Sequence, residues 1–199
     1  MNTARCLRIF CAFLLLWLCA FAAQGAQTMQ LPAPDKEGGM PLMQALAERK
    51  STKSFDDKVV SAQDLSNLLW AAWGVSRPDG RRTAPTAHNR QAVEVYAVLD
   101  SGVWRYDGAK HLLEQVLSGD MRASVGGGAP VILLFAAPAD DRWAGEHVGS
   151  IYQNAGLYCA SAKMACVVRA NRADGLKDSL TLPKDYRVRM TLAVGWPKS

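Results

Sequence analysis

The sequence predicts a single α+β domain, and three observations carry that prediction. Apolar residues recur at helical spacing over about 62–73 and again from Trp143 or Glu146 to Met164. Other stretches alternate or are wholly apolar, at 92–99, 131–136 and 188–194, as strands do. The segments follow no repeating strand–helix unit and no internal repeat is present, which favours α+β over a doubly wound sheet.

The chain of 199 residues opens with Arg5 and Arg8, an uncharged apolar run at 9–23, and small residues. That is the layout of a secretory signal peptide, cut near Ala22 or Ala26, leading to the periplasm or outside the cell. An uncleaved anchor at 9–23 is the alternative, although the run is shorter than the roughly 20 residues of a bilayer span; a buried core segment is a third. Residues 27–40 read as an extended leader, rich in Gly, Pro and polar types. Residues 41–199 read as the folded domain, long enough for one substantial core. Without Arg5 and Arg8 the 23 basic residues become 21 against 18 acidic, a net of +3. So mild a balance, with no basic stripe, argues against nucleic acid as a partner.

Pro41 suits the first turn of a helix carrying Leu42, Ala45, Leu46 and Arg49 in register. Ser61 caps the next, with Asp64 at the capping-box position and Leu65, Leu68, Leu69, Ala72 and Trp73 on the apolar face, to Gly74. Residues 76–91 form a long polar loop with a Pro-Asp-Gly turn, either a site or a solvated linker. A strand at 92–99 turns through Asp100-Ser101-Gly102 into a short strand at 103–106. A helix is expected at 109–117, ended by Gly119. Gly126, Gly127 and Gly128 mark a flexible connection or a close approach to a ligand. The run at 131–136 lacks alternation, as in a strand covered on both faces. After the long helix come a small helical piece at 174–180 and a last strand at 188–194.

Of the five cysteines, Cys159 and Cys166 lie beyond the signal segment. Seven residues apart on one helix, they would lie about 10 Å apart along its axis, too far for a disulfide, and read as small buried hydrophobes. The three histidines stand singly, without zinc-ligand spacing, and no metal site is expected.

The densest polar segment is Arg49-Lys50-Ser51-Thr52-Lys53-Ser54-Phe55. Guanidinium, ammonium and hydroxyl donors suit a phosphate. Cations also gather at helix C-termini for the dipole alone, and the residues by themselves leave the two readings level. Pro85-Thr86-Ala87-His88-Asn89-Arg90-Gln91 is the second such segment; Asn89 and Gln91 each offer donors and acceptors.

These segments resemble the FMN-dependent nitroreductase family. Residues 49–56 are similar to its N-terminal signature and residues 85–91 to its Pro-Ser-x-x-Asn-x-Gln segment. Gly149 with Gln153-Asn154, and Leu182-Pro183-Lys184-Asp185-Tyr186 followed by Ala193-Val194-Gly195-Trp196-Pro197, match its later blocks in order and spacing. Met164-Ala165-Cys166 stands where the family usually has Gly-Leu-Gly. The resemblance implies a central mixed or antiparallel sheet flanked by helices, and a homodimer with FMN at its interface. It implies that Arg49, Lys50, Ser51 and Lys53 hold the cofactor from one subunit, and Thr86, Ala87, Asn89 and Gln91 from the other. Cys166 and Val167 would pass beside the flavin ring, and Lys198 would add a last cation. Lys53 would be the catalytic residue, favouring the anionic reduced ring. The implied activity passes electrons from a reduced donor, perhaps a membrane quinol or redox protein, to a nitroaromatic or quinone-like acceptor. A flavin-binding or structural dimer without turnover is the other implied reading.

Overall fold

Side chains alternating along a strand reach opposite faces of a sheet, so strands buried on both sides must place apolar residues in consecutive positions. The computed structural model, which describes residues 27–170 and 173–198, realises this in its central strands. In chain order the elements are β1 (Thr28–Gln30), α1 (Leu42–Glu48), β2 (Phe55–Asp56), α2 (Ala62–Trp73), β3 (Glu94–Leu99), β4 (Gly102–Asp107), β5 (Leu112–Ser118), β6 (Val131–Pro138), α3 (Ala144–Ser161), β7 (Ala165–Ala170) and β8 (Tyr186–Pro197). The sheet order is β1-β5-β4-β3-β6-β8-β2, and β7 also pairs with β8. Every pairing among the described strands is antiparallel.

Val95 and Ala97 of β3, Leu133 and Phe135 of β6, and Leu192 and Val194 of β8 face one core with α2 and α3. Their neighbours Tyr96, Val98, Ile132, Leu134 and Ala193 face a second core, closed by Val125, Leu176 and Leu180. Each fully buried large apolar side chain contributes about 1.5–3 kcal/mol. The two-sided burial expected for 131–136 is therefore observed, and so is the α+β class.

Helix α2 begins as its sequence dictates. Ser61 accepts from the Asp64 N–H at 3.0 Å, and its hydroxyl donates to the Asp64 carboxylate at 2.6 Å. Leu68, Leu69 and Ala72 are fully buried. The leader is docked along the domain. Strand β1 pairs with β5, Leu31 is buried, and the Ser66 hydroxyl donates to the Pro32 carbonyl at 2.6 Å.

Four expectations are corrected. Residues 109–117 are not a helix: Asp107 accepts from the Ala109 and Lys110 N–H groups, His111 adopts a left-handed φ of 52°, and β5 returns along β4. A short apolar run reads equally well either way, and β4 and β1 supply hydrogen bonds on both edges. The long helix ends at Ser161 rather than Met164, and Lys163 at φ 59° turns the chain into the unforeseen strand β7. The helical piece at 174–180 shrinks to one 3-10 turn at Asp174–Leu176, and the last strand lengthens to 186–197. Cys159 and Cys166 consequently belong to different elements, and their thiols share a hydrogen bond instead of standing a helix length apart. The expected signal segment, residues 1–26, lies outside the described residues.

Candidate functional site

Helix α1 is only seven residues long and stops where Arg49 leaves helical geometry, at φ −59° and ψ 119°. The cation-rich segment that follows is fastened downstream. The Thr52 N–H donates to the Cys166 carbonyl at 2.9 Å, and Phe55 and Asp56 pair with Pro197 and Trp196. A hollow of about 490 Å³ lies between these elements, walled by Lys50, Thr52, Lys163, Met164, Cys166 and Pro197 among others. Arg49 is half-buried beside Gly156, whereas Lys50, Ser51 and Lys53 are exposed. Lys198 is also exposed, and its N–H donates to the Ser54 carbonyl at 3.4 Å.

The charge here is unbalanced. Lys163 pairs with Glu48 at 2.6 Å, and together with the Gln44 amide it holds the Glu48 carboxyl below its ordinary range. Among the described residues, no carboxylate forms an ion pair with Arg49, Lys50, Lys53 or Lys198. The Cys166 thiol is lowered, first by the hydrogen bond from Cys159 and then by the Arg49 guanidinium. Val167 points the other way: its side chain packs in the opposite core.

The second segment is held in an unusual backbone. His88, Asn89 and Gln91 have φ of 53°, 52° and 50°, each costing about 1–3 kcal/mol in a residue other than glycine. Several hydrogen bonds over-determine it. Thr86 Oγ1 accepts from the Gln91 N–H at 3.1 Å. The Gln91 side chain accepts from Arg82 at 2.9 Å and donates to Asn89 Oδ1 at 3.1 Å and to the Gly80 carbonyl at 3.2 Å. Gln91 and Thr86 therefore brace the loop, while the Asn89 amide donors remain available.

Sequence reasoning passed over one member of this arrangement. His147, 3% exposed on α3, accepts from the Ala87 N–H through Nε2 at 2.8 Å. That acceptor role assigns the ring proton to Nδ1, which lies 3.6 Å from Asp141 Oδ2. Asp141 in turn accepts from Arg90 at 3.2 Å and from the Trp143 N–H at 3.0 Å. The only advance signal was a histidine on the inward face of an amphipathic helix, which is usually an ordinary core residue.

A separate hollow of about 750 Å³ adjoins this loop, walled by His88, Arg90, Ala92, Asp141, Arg142 and Trp143. Within one chain, residues 49–53 and 86–91 thus border different hollows. Among the described residues, no group of three or more His, Cys, Asp or Glu side chains is placed to hold a metal ion.

The chain was compared with known proteins. A model of the nitroreductase family matches residues 46–196. A nitroreductase-type protein of Ralstonia eutropha JMP134, of known crystal structure, is 33% identical with a TM-score of 0.78, the match covering 89% of this chain and 93% of that one. A nitroreductase-type protein of Methanocaldococcus jannaschii is 24% identical over 165 residues, 70% of this chain and 83% of the relative. A nitroreductase of Bacteroides fragilis, solved with bound FMN, shares the fold at 17% identity and a TM-score of 0.57, over 79% of this chain and 88% of its own. The cationic segment, the braced loop and the antiparallel sheet that carries them thus agree with the family match: the chain belongs to the nitroreductase family.

Proposed function

We propose that the protein binds FMN between the subunits of a homodimer and passes electrons from a reduced donor to a small conjugated acceptor, nitroaromatic or quinone-like. The observation that carries this reading is the anion-ready wall at 49–53. Three cations and two hydroxyls gather beside a hollow, clamped to β7 through Thr52, with no carboxylate paired to Arg49, Lys50 or Lys53. Their chemistry fits a terminal phosphate, for which Arg offers a planar fork and Lys a mobile charge. A flavin bound there supplies two-electron transfer in a ping-pong cycle, the donor's product leaving before the acceptor arrives.

The chain's own residues would then bind and orient. Arg49, Lys50, Ser51 and Lys198 hold the phosphate end, and Lys53 places positive charge near the ring, where it favours the anionic reduced state. Cys166 offers its thiol side to the hollow. The loop at 86–91 presents Asn89 to the ring or ribityl edge of the cofactor in the partner's site. Exposed Leu42, Met43 and Leu46 on α1, with Val59 nearby in sequence, offer apolar surface for the second copy.

Export through residues 1–26 would place the protein in the periplasm or outside the cell, with an anchor at 9–23 the alternative. Soluble nicotinamide donors are not expected there, so a membrane quinol or a redox protein is the proposed donor. Purified protein should be yellow. FMN at one hundred times its Kd should add about 2.7 kcal/mol of stability, a rise in Tm of roughly 5–10 °C. No change in Tm at saturating FMN would overturn the reading. Bound FMN without turnover by any donor and acceptor would instead favour the non-catalytic flavin-binding dimer.

A further inference from the structure

The hollow beside the 49–53 segment has a feature that flavin binding does not require: two thiols meet in its wall. Cys159 lies two residues before the end of α3, and Cys166 is the second residue of β7. The reversal between them is tight. Lys163 takes φ 59°, and the Met164 N–H donates to the Cys159 carbonyl at 2.8 Å. Alternation along β7 then aims Cys166 at the face covered by α3 and Val167 at the opposite one, so both cysteines join one buried cluster and their thiols share a hydrogen bond. Both are free thiols.

The two differ in access and charge. Cys159 is fully buried, whereas Cys166 is 6% exposed and borders the hollow. Cys166 is the more acidic, held down by the Cys159 hydrogen bond and then by Arg49. Cys159 is raised by that same bond and by burial. A reactive thiol needs an electropositive and reachable setting, and Cys166 has both. Cys159 sits where a resolving thiol must.

We propose that Cys159 and Cys166 form a reversible dithiol–disulfide site in the wall of the hollow, reacting with low-molecular-weight disulfides and thiols. The Cys166 thiolate attacks one sulfur of the external disulfide; a mixed disulfide forms and one thiol departs. Cys159 then releases its proton to solvent and attacks Cys166 Sγ, expelling the second thiol. Two protein thiols are oxidised to a disulfide while one external disulfide is reduced to two thiols, and external dithiols reverse the exchange. The reaction needs no flavin, so its failure and the failure of the FMN reading are separate outcomes.

Peptide mapping of the purified full-length protein tests it. Trypsin cuts after Lys163, between the two cysteines, and after Arg142 and Arg169. A disulfide therefore joins two peptides, which the cysteines at positions 6, 11 and 19 cannot mimic. After oxidised glutathione, acid quench and alkylation in urea, the joined pair should appear, both residues should lose alkylation, and dithiothreitol should restore it. In Cys159→Ser, glutathione should remain on the peptide holding Cys166; in Cys166→Ser, Cys159 should stay unmodified. The proposal is overturned if both cysteines remain fully alkylated in wild type, or if Cys159 takes up glutathione when Cys166 is absent. Should the serine variants fail to fold, the wild-type joined peptide decides alone.

Discussion

Replacing His147 by leucine removes the acceptor of a single backbone N–H, and the consequence should be felt at the cofactor. Leucine fills a comparable apolar volume on α3, but the Ala87 N–H, 2.8 Å from Nε2, loses its partner. An unsatisfied, partly buried donor costs about 1–3 kcal/mol. It falls on a loop already carrying three left-handed positions, at His88, Asn89 and Gln91, each strained by about 1–3 kcal/mol. Relaxation of that strain competes directly with the geometry that presents Asn89. The affinity for FMN should therefore fall by roughly 5- to 150-fold, the same 1–3 kcal/mol expressed as a binding constant. Quenching of FMN fluorescence measures it, and hydrogen exchange at the Ala87 amide reports the loop without any cofactor. His147→Gln, whose amide oxygen can accept, should recover most of the affinity. Unchanged exchange at Ala87 together with wild-type FMN affinity in His147→Leu would refute the reasoning.

Three further outcomes follow from the same geometry. Lys53→Met should lower the flavin midpoint potential by roughly 20 mV, the two-electron equivalent of about 1 kcal/mol; a potentiometric titration with no shift removes Lys53 from the redox chemistry. Met43→Glu, at a position 76% exposed on α1, should convert dimer to monomer in sedimentation and weaken FMN binding; a dimer that persists relocates the interface. Stability should also fall in acid because of His111. Burial lowers its pKa below the ordinary 6.5, and its ring is matched as the neutral form, Nδ1 accepting from the Tyr106 hydroxyl and Nε2 facing the Pro32 carbonyl. The unfolded chain then binds more protons than the folded one as pH drops through about 6.5 towards the lowered folded value, so stability is lost across that window. His111→Gln should flatten the dependence of the urea midpoint there, and an unaltered slope would contradict it.

Much of the fold was legible along the chain because its signals are local. Ser61 and Asp64 cap α2 through atoms three residues apart, and the unbroken apolar run of β6 reports two buried faces wherever the strand sits. The cationic segment at 49–53 was equally visible, since charge and hydroxyl density are properties of composition. Its meaning stayed open, because cations after a helix satisfy a dipole as readily as a phosphate.

Tertiary structure decided what depends on partners distant in sequence. Residues 112–118 became a strand because β4 and β1 offer hydrogen bonds on both sides, which no local propensity encodes. The helix that would have carried both cysteines broke at Lys163, and that one left-handed residue brought Cys159 and Cys166 into contact. His147 reaches Ala87 across sixty positions of chain. The sequence by itself determined the α+β class, the capped helix and the cation-rich segment; folding determined which thiols meet and which ring holds the loop. Side-chain periodicity records the faces a segment buries, whereas the group it touches depends on chain closure over long separations.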